Sequence, residues 1–144
     1  MTNAVLSVEE TATINAYDAI AKEWDALQEP QWKDTYYYHF LSLLKGDMIL
    51  DIGCGTAGDA PLFLSDGLNY VGIDLSHNML DVARKNFTDY LIADVNPIMH
   101  VFQMNMHEFG FRKHSIDGFW AVTSFMHIAK EALPHVLSAL KAVI

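Results

Sequence analysis

Two carboxylates and a glycine turn are the residues of this chain best suited to grip a small ligand. Asp51-Ile52-Gly53-Cys54-Gly55-Thr56-Ala57-Gly58-Asp59 leaves a short apolar run and enters a helical pattern. Gly53 and Gly55 let the backbone turn tightly and approach a ligand, and the N–H groups of a following helix favour a polar or anionic group. Gly53, Gly55 and Gly58 also satisfy the literal G-x-G-x-x-G spacing of a dinucleotide-binding loop. Asp74 stands 21 residues after Gly53, at the end of a second apolar run. An acid there accepts hydrogen bonds from both hydroxyls of a ribose. Asp51 separates the ligand classes, because a carboxylate beside the turn repels a pyrophosphate and suits a positive amino group. The competing reading is a generic strand-to-helix turn with a solvated Asp.

The elements that position these residues are legible in hydrophobic spacing. Ile14, Tyr17, Ala21, Trp24 and Gln28, with Ile20 and Leu27 alongside, predict an amphipathic helix over about 9–28, ended by Glu29-Pro30. A second helix carries Trp32, Tyr36, Phe40, Leu43 and Leu44 on one side and stops at Lys45-Gly46-Asp47. Strands follow at 48–52, 69–74, 98–104 and 116–122. Helices lie at 57–66, after Ser76 as N-cap with Met79, Leu80, Ala83 and Phe87, and over Leu133 to Ile144. Residues 88–97 carry no clear pattern, and Asn96-Pro97 reads as loop. This alternation predicts an α/β fold with a parallel sheet, whose ligands bind beyond the carboxyl ends of the strands. The chemistry-bearing segments 51–59, 74–79, 104–107 and 121–127 all fall at such ends.

At 144 residues the chain is one domain, with N-terminal helices over 1–46 and the α/β core over 47–144. Its formal charge of −9 argues against a nucleic-acid partner, which needs a basic face. Half of its residues are apolar (51%), enough to fold, yet no run reaches the ~18 residues of a membrane span. The single Cys54 excludes an internal disulfide, and the first ten residues lack the features of a signal peptide. A cytoplasmic protein is expected.

Leu50-Asp51-Ile52-Gly53-Cys54-Gly55-Thr56, then Val71-Gly72-Ile73-Asp74-Leu75-Ser76-His77-Asn78-Met79-Leu80, then Ile116-Asp117-Gly118-Phe119-Trp120-Ala121 resemble the class I S-adenosylmethionine (SAM)-dependent methyltransferases, in the branch acting on ubiquinone, menaquinone and related small molecules. Tyr17-Asp18-Ala19-Ile20-Ala21 resembles that family's N-terminal lid helix. SAM, with its sulfonium and α-amino group, fits the preference set by Asp51. The resemblance implies a Rossmann-like sheet of order 3-2-1-4, with SAM as cofactor and S-adenosylhomocysteine as product. It implies that Asp51, Gly53, Cys54 and Gly55 hold the methionine part, that Asp74 binds the ribose, and that Leu75 and Met79 border the adenine. Asn105 stands where the family often has an Asp facing the adenine amino group, with the Met106 backbone beside it. Ala121 offers its carbonyl to the SAM amino group, and Tyr17 closes over the ligand or merely packs its helix. His127 takes or orients an acceptor proton, or packs under the site. Ala57 replaces the family's third loop glycine, with Gly58 one place later; a helix starting at Ala57 would tolerate the methyl, and otherwise the loop shifts and affinity falls.

Weaker features have blander readings. Cys54 near a helix N-terminus has either a lowered pKa or a packed, inert thiol. His100, His107 and His114 recur every seven residues, but strand and loop would aim them differently, so no metal site is expected. Trp32, Tyr36, Tyr37 and Tyr38 line an acceptor pocket or, more simply, pack on the sheet with one or two tyrosines exposed. The chain resembles the first two-thirds of the family's domain, without its usual strands 5–7. This raises two expectations: a SAM-binding protein without turnover as the alternative to an enzyme, and a homodimer through strand 4 or the last helix. A small molecule is the expected acceptor. A nicotinamide-dependent oxidoreductase is the remaining alternative, opposed by Asp51 and by the lack of a Tyr-x-x-x-Lys pair.

Overall fold

The computed structural model describes residues 5–27, 33–92 and 96–144. Four parallel strands, β1 (Met48–Ile52), β2 (Asn69–Asp74), β3 (Met99–Gln103) and β4 (Gly118–Trp120), lie in the order β3-β2-β1-β4. The helices are α1 (Val8–Ala26), α2 (Lys33–Leu43), α3 (Ala60–Ser65), α4 (His77–Asn86), α5 (Thr88–Ile92) and α6 (Leu133–Val143). Each parallel pair requires a crossover, so helices cover both faces and the central strands are apolar on both sides. This is the α/β fold and strand order expected from the sequence.

Strand alternation sorts the core into two layers. Ile49, Tyr70, Met99 and Val101 pack with Phe63 and Leu80 on one face. Leu50, Ile52, Val71 and Ile73 pack with Val136, Leu140 and Val143 of α6 on the other. Phe63 is fully buried, with Tyr37 and Trp120 edge-on at 5.4 and 5.6 Å and Tyr70 tilted at 6.0 Å. Each such ring pair contributes about 0.5–1.5 kcal/mol beyond its burial. Asp51 shares the face of Ile49, which places its carboxylate beside the Tyr70 hydroxyl.

The differences from expectation have local causes. Of the expected α2 stripe, Phe40 and Leu44 pack against the core as read, whereas Tyr36 and Leu43 are exposed and Tyr37 and Leu41 take the inward positions. The one buried tyrosine of the aromatic run thus serves the sheet, and Tyr36 and Tyr38 face solvent. Ile20 and Leu27 are likewise exposed beside the α1 stripe. Gln28, Glu29-Pro30 and Trp32 lie outside the described residues. Residues 57–59 form turns, so α3 begins at Ala60 and not at Ala57. β4 is shorter than expected: the Ile116 N–H turns to Val143 O at the end of α6, and Asp117 is held at the start of β1, its N–H donating to Met48 O while its carboxylate accepts from the Met48 N–H. In α6, Val136, Leu140 and Val143 are buried, which commits its apolar face to the sheet.

Candidate active site

The strand ends meet α1 around a cavity of about 420 Å³. Its floor is the turn after β1. The Gly53 and Cys54 N–H groups both donate to Ile73 O, at 2.8 and 3.0 Å, which folds the turn across β2. Gly53 has φ +69° and lies so close to Ser124 that an added Cβ would fall 2.5 Å from the Ser124 Cβ. Glycine is therefore required there on two counts, conformation and space.

The carboxylates flank this turn. Asp51 is buried at the cavity wall and accepts a 2.6 Å hydrogen bond from the Tyr70 hydroxyl. Asp74 is fixed by two backbone donors, Gly55 N–H and Ser76 N–H, each at 2.8 Å on a different oxygen. Burial nevertheless keeps the Asp74 carboxyl above the usual carboxylate range, against the lowering by those N–H groups. Asp74 also lines the cavity, where hydroxyl donors of a ligand would relieve that cost. Leu75 and Met79 line the cavity beside it; Met79 is buried, and its N–H donates to Ser76 Oγ as the cap of α4.

Beyond β3, Asn105 and Met106 also line the cavity. Asn105 Oδ1 already accepts from the His107 N–H at 2.9 Å, which leaves its second lone pair and its amide N–H groups for a ligand. Beyond β4, the cavity is lined by Val122, Thr123, Ser124 and His127. Ala121 instead packs against the layer beneath α6 and is not among the lining residues.

Helix α1 forms the roof and is tied to three strand ends. Tyr17 shares a 3.1 Å hydrogen bond with His127 Nε2, and the two rings stand edge to face at 5.4 Å. Burial, and secondarily the charge of Asp74, raises the Tyr17 hydroxyl above its ordinary value, so it keeps its proton. Glu10 meets His107 Nε2 at 2.6 Å. Asp18 accepts from Ser76 Oγ and from the Asn78 N–H at the start of α4. Of the sequence-expected residues, Tyr17, Asp51, Gly53, Cys54, Gly55, Asp74, Leu75, Met79, Asn105, Met106 and His127 meet around one cavity. Glu10, Asp18, Trp24 and Ser124 were missed. Glu10 carried a local helix-start signal, the Ser7-x-x-Glu10 capping box, and Asp18 and Trp24 lay on the expected α1 helix, but none of these signals named a partner across the cavity.

The structure decides between the two readings of Cys54 and separates the spaced histidines. The Cys54 thiol is not activated: burial, then the charges of Asp51 and Asp74, push it well up, and its side chain packs against Gly72. The three spaced histidines serve separate places, His107 on Glu10, His114 on the Ile144 carbonyl and His100 beside Phe102.

The profile of the methyltransferase domain family matches residues 49–144, so the chain belongs to that family, within the class I SAM-dependent fold. An uncharacterized protein of Haemophilus influenzae is 48% identical over 44 residues, 30% of this chain and 17% of that protein. Magnesium protoporphyrin IX methyltransferase (ChlM) from Synechocystis PCC 6803, solved with bound SAM, superposes with a TM-score of 0.73 at 16% identity, over 96% of this chain and 73% of that one. The [4+2]-cyclase SpnF superposes with a TM-score of 0.72 at 14% identity, over 94% and 56%. At these identities the likeness is one of fold. The chain spans 17% of the length of the curated relative and about half, 51%, of the first structural relative, a Pyrococcus horikoshii protein.

Proposed function

We propose that this chain binds S-adenosylmethionine in the cavity and methylates a small-molecule acceptor, with S-adenosylhomocysteine as product. One observation carries the reading: Asp51 and Asp74, at the ends of adjacent strands, flank a glycine turn that fixes Asp74 through the Gly55 N–H. Ribose hydroxyls suit Asp74, and an ammonium group suits Asp51. Leu75, Met79, Asn105 and the Met106 backbone offer an apolar slot with polar edges for an adenine. The cavity volume falls within the ~300–1,000 Å³ of small-ligand sites.

When bound, SAM supplies an electrophilic methyl group. The protein's own contribution is mainly position. Tyr17 and Trp24 of α1 line the cavity on the roof side and would reduce water access to a bound ligand, which would strengthen the electrostatics within it. His127, held by Tyr17, is placed to accept or orient an acceptor proton. The net charge of −9 and the enclosed roof favour a small acceptor over a nucleic acid.

Calorimetric titration with S-adenosylhomocysteine tests the reading. Wild type should bind, and Asp74→Ala should lose about 1–3 kcal/mol, the scale of charged hydrogen bonds. A folded wild type that ignores this ligand and binds NAD instead would overturn it. A second reading, ligand binding without methyl transfer, has one observation in its favour: the fold is shared with a protein described as a cyclase. Binding without turnover on any acceptor would select it.

A further inference from the structure

Ser124 follows β4 at the cavity wall and is 5% exposed. Among the described residues its Oγ is the one buried side-chain oxygen or nitrogen without a hydrogen-bond partner. Buried hydroxyls are nearly always paired, so an orphan beside a cavity calls for a partner that the protein itself does not supply. The backbone around it is also costly. Thr123 has φ +56°, a left-handed conformation that a β-branched side chain rarely adopts. Such strain persists only where the surroundings impose it, and it clusters at ligand clamps. Next to Thr123, Ser124 lies against Gly53, leaving no room there for a side chain, and its carbonyl accepts from the His127 N–H.

The sheet order says which end of a ligand Ser124 would meet. Asp74 ends β2, on one side of the β1 turn, and Ser124 follows β4, on the other. Asp51 stands between them, paired in register with Gly72 of β2 and Trp120 of β4. A ligand with its ribose on Asp74 and its ammonium at Asp51 therefore extends its amino-acid end toward Ser124. We propose that Ser124 is a further ligand-binding residue, whose hydroxyl turns about its Cα–Cβ bond to hydrogen-bond the amino-acid end of the ligand. The inference rests on the SAM-site reading above and adds to it a side chain that contributes to selecting an amino-acid-bearing ligand.

The experiment compares two ligands on wild type and Ser124→Ala. S-adenosylhomocysteine has the amino-acid end; 5′-methylthioadenosine has the same adenine, ribose and sulfur without it. The substitution should weaken S-adenosylhomocysteine about tenfold and 5′-methylthioadenosine by less than about twofold. In the ligand-free protein it removes a buried unpaired hydroxyl, so Ser124→Ala should melt higher, by about 2–4 °C. Weaker binding with higher stability separates a ligand group from a structural one. Unchanged affinity for S-adenosylhomocysteine, equal losses for both ligands, or a lowered melting temperature would each overturn the proposal. A wild type that binds neither ligand would overturn it together with the SAM-site reading.

Discussion

Tyr17 and His127 lie 110 residues apart in sequence and share a 3.1 Å hydrogen bond across the mouth of the cavity. The contact joins the roof helix to the turn after β4, so the position of the roof and the orientation of the imidazole are fixed against each other. The ring contact at 5.4 Å and the Tyr17–Trp24 contact, also at 5.4 Å, hold the tyrosine in place independently of its hydroxyl.

Tyr17→Phe separates these two contributions, because the ring stays and the hydrogen bond goes. The loss should cost about 1 kcal/mol of stability. Among the seven histidines, the His127 ring nitrogens should show the largest NMR shift change. An unchanged His127 spectrum would show that the hydroxyl neither sets its tautomer nor fixes its ring.

The second tie of α1 is acid-sensitive. Burial by itself raises the Glu10 carboxyl, but the Ser7 N–H and the His107 imidazole outweigh it and hold the group below its ordinary value of 4.5. A depressed folded value contributes stability above the unfolded value, and that contribution fades as pH falls through the folded one. Asp74, raised by burial, works in the opposite sense, since its ionisation costs stability as pH rises. Glu10→Gln isolates the first effect. The stability gap between wild type and Glu10→Gln should shrink as pH falls from 6 to about 3, read from melting temperatures. A constant gap would mean that the Glu10 charge does not secure the roof.

What the sequence revealed and what it hid divide along a physical line. Met48–Ile52 and Asn69–Asp74 appear at their expected limits because strands buried on both faces must be continuously apolar. Asp51, Gly53, Gly55 and Asp74 were legible because a turn and a strand end set their spacing locally. Glu10 and Asp18 were hidden for the opposite reason. Their partners His107 and Ser76 lie 97 and 58 residues away, and carboxylates on a helix ordinarily face water. The stripe of α2 was legible at Phe40 and Leu44 but misread at Tyr36, because tyrosines suit either face; the bulk of Phe63 and Trp120 selected Tyr37.

Ala57 is the position where local expectation and fold conflict most directly. It holds φ +59° and is fully buried at the start of the turns leading into α3. The left-handed conformation costs a residue with a Cβ about 1–2 kcal/mol. Ala57→Gly would relieve that cost, but it also exposes the turn to greater chain entropy and removes a buried methyl that contributes about 0.8 kcal/mol. These terms oppose one another at similar size, so Ala57→Gly should change stability by less than about 1 kcal/mol. Ala57→Val has no such balance, since a branched Cβ deepens the strain and must enter a packed layer with Phe63 and Tyr70. It should lose more than about 2 kcal/mol in a urea titration. A valine variant as stable as wild type would show that the turn relaxes out of the left-handed region, and that the glycine turn flanked by Asp51 and Asp74 adapts to a larger side chain.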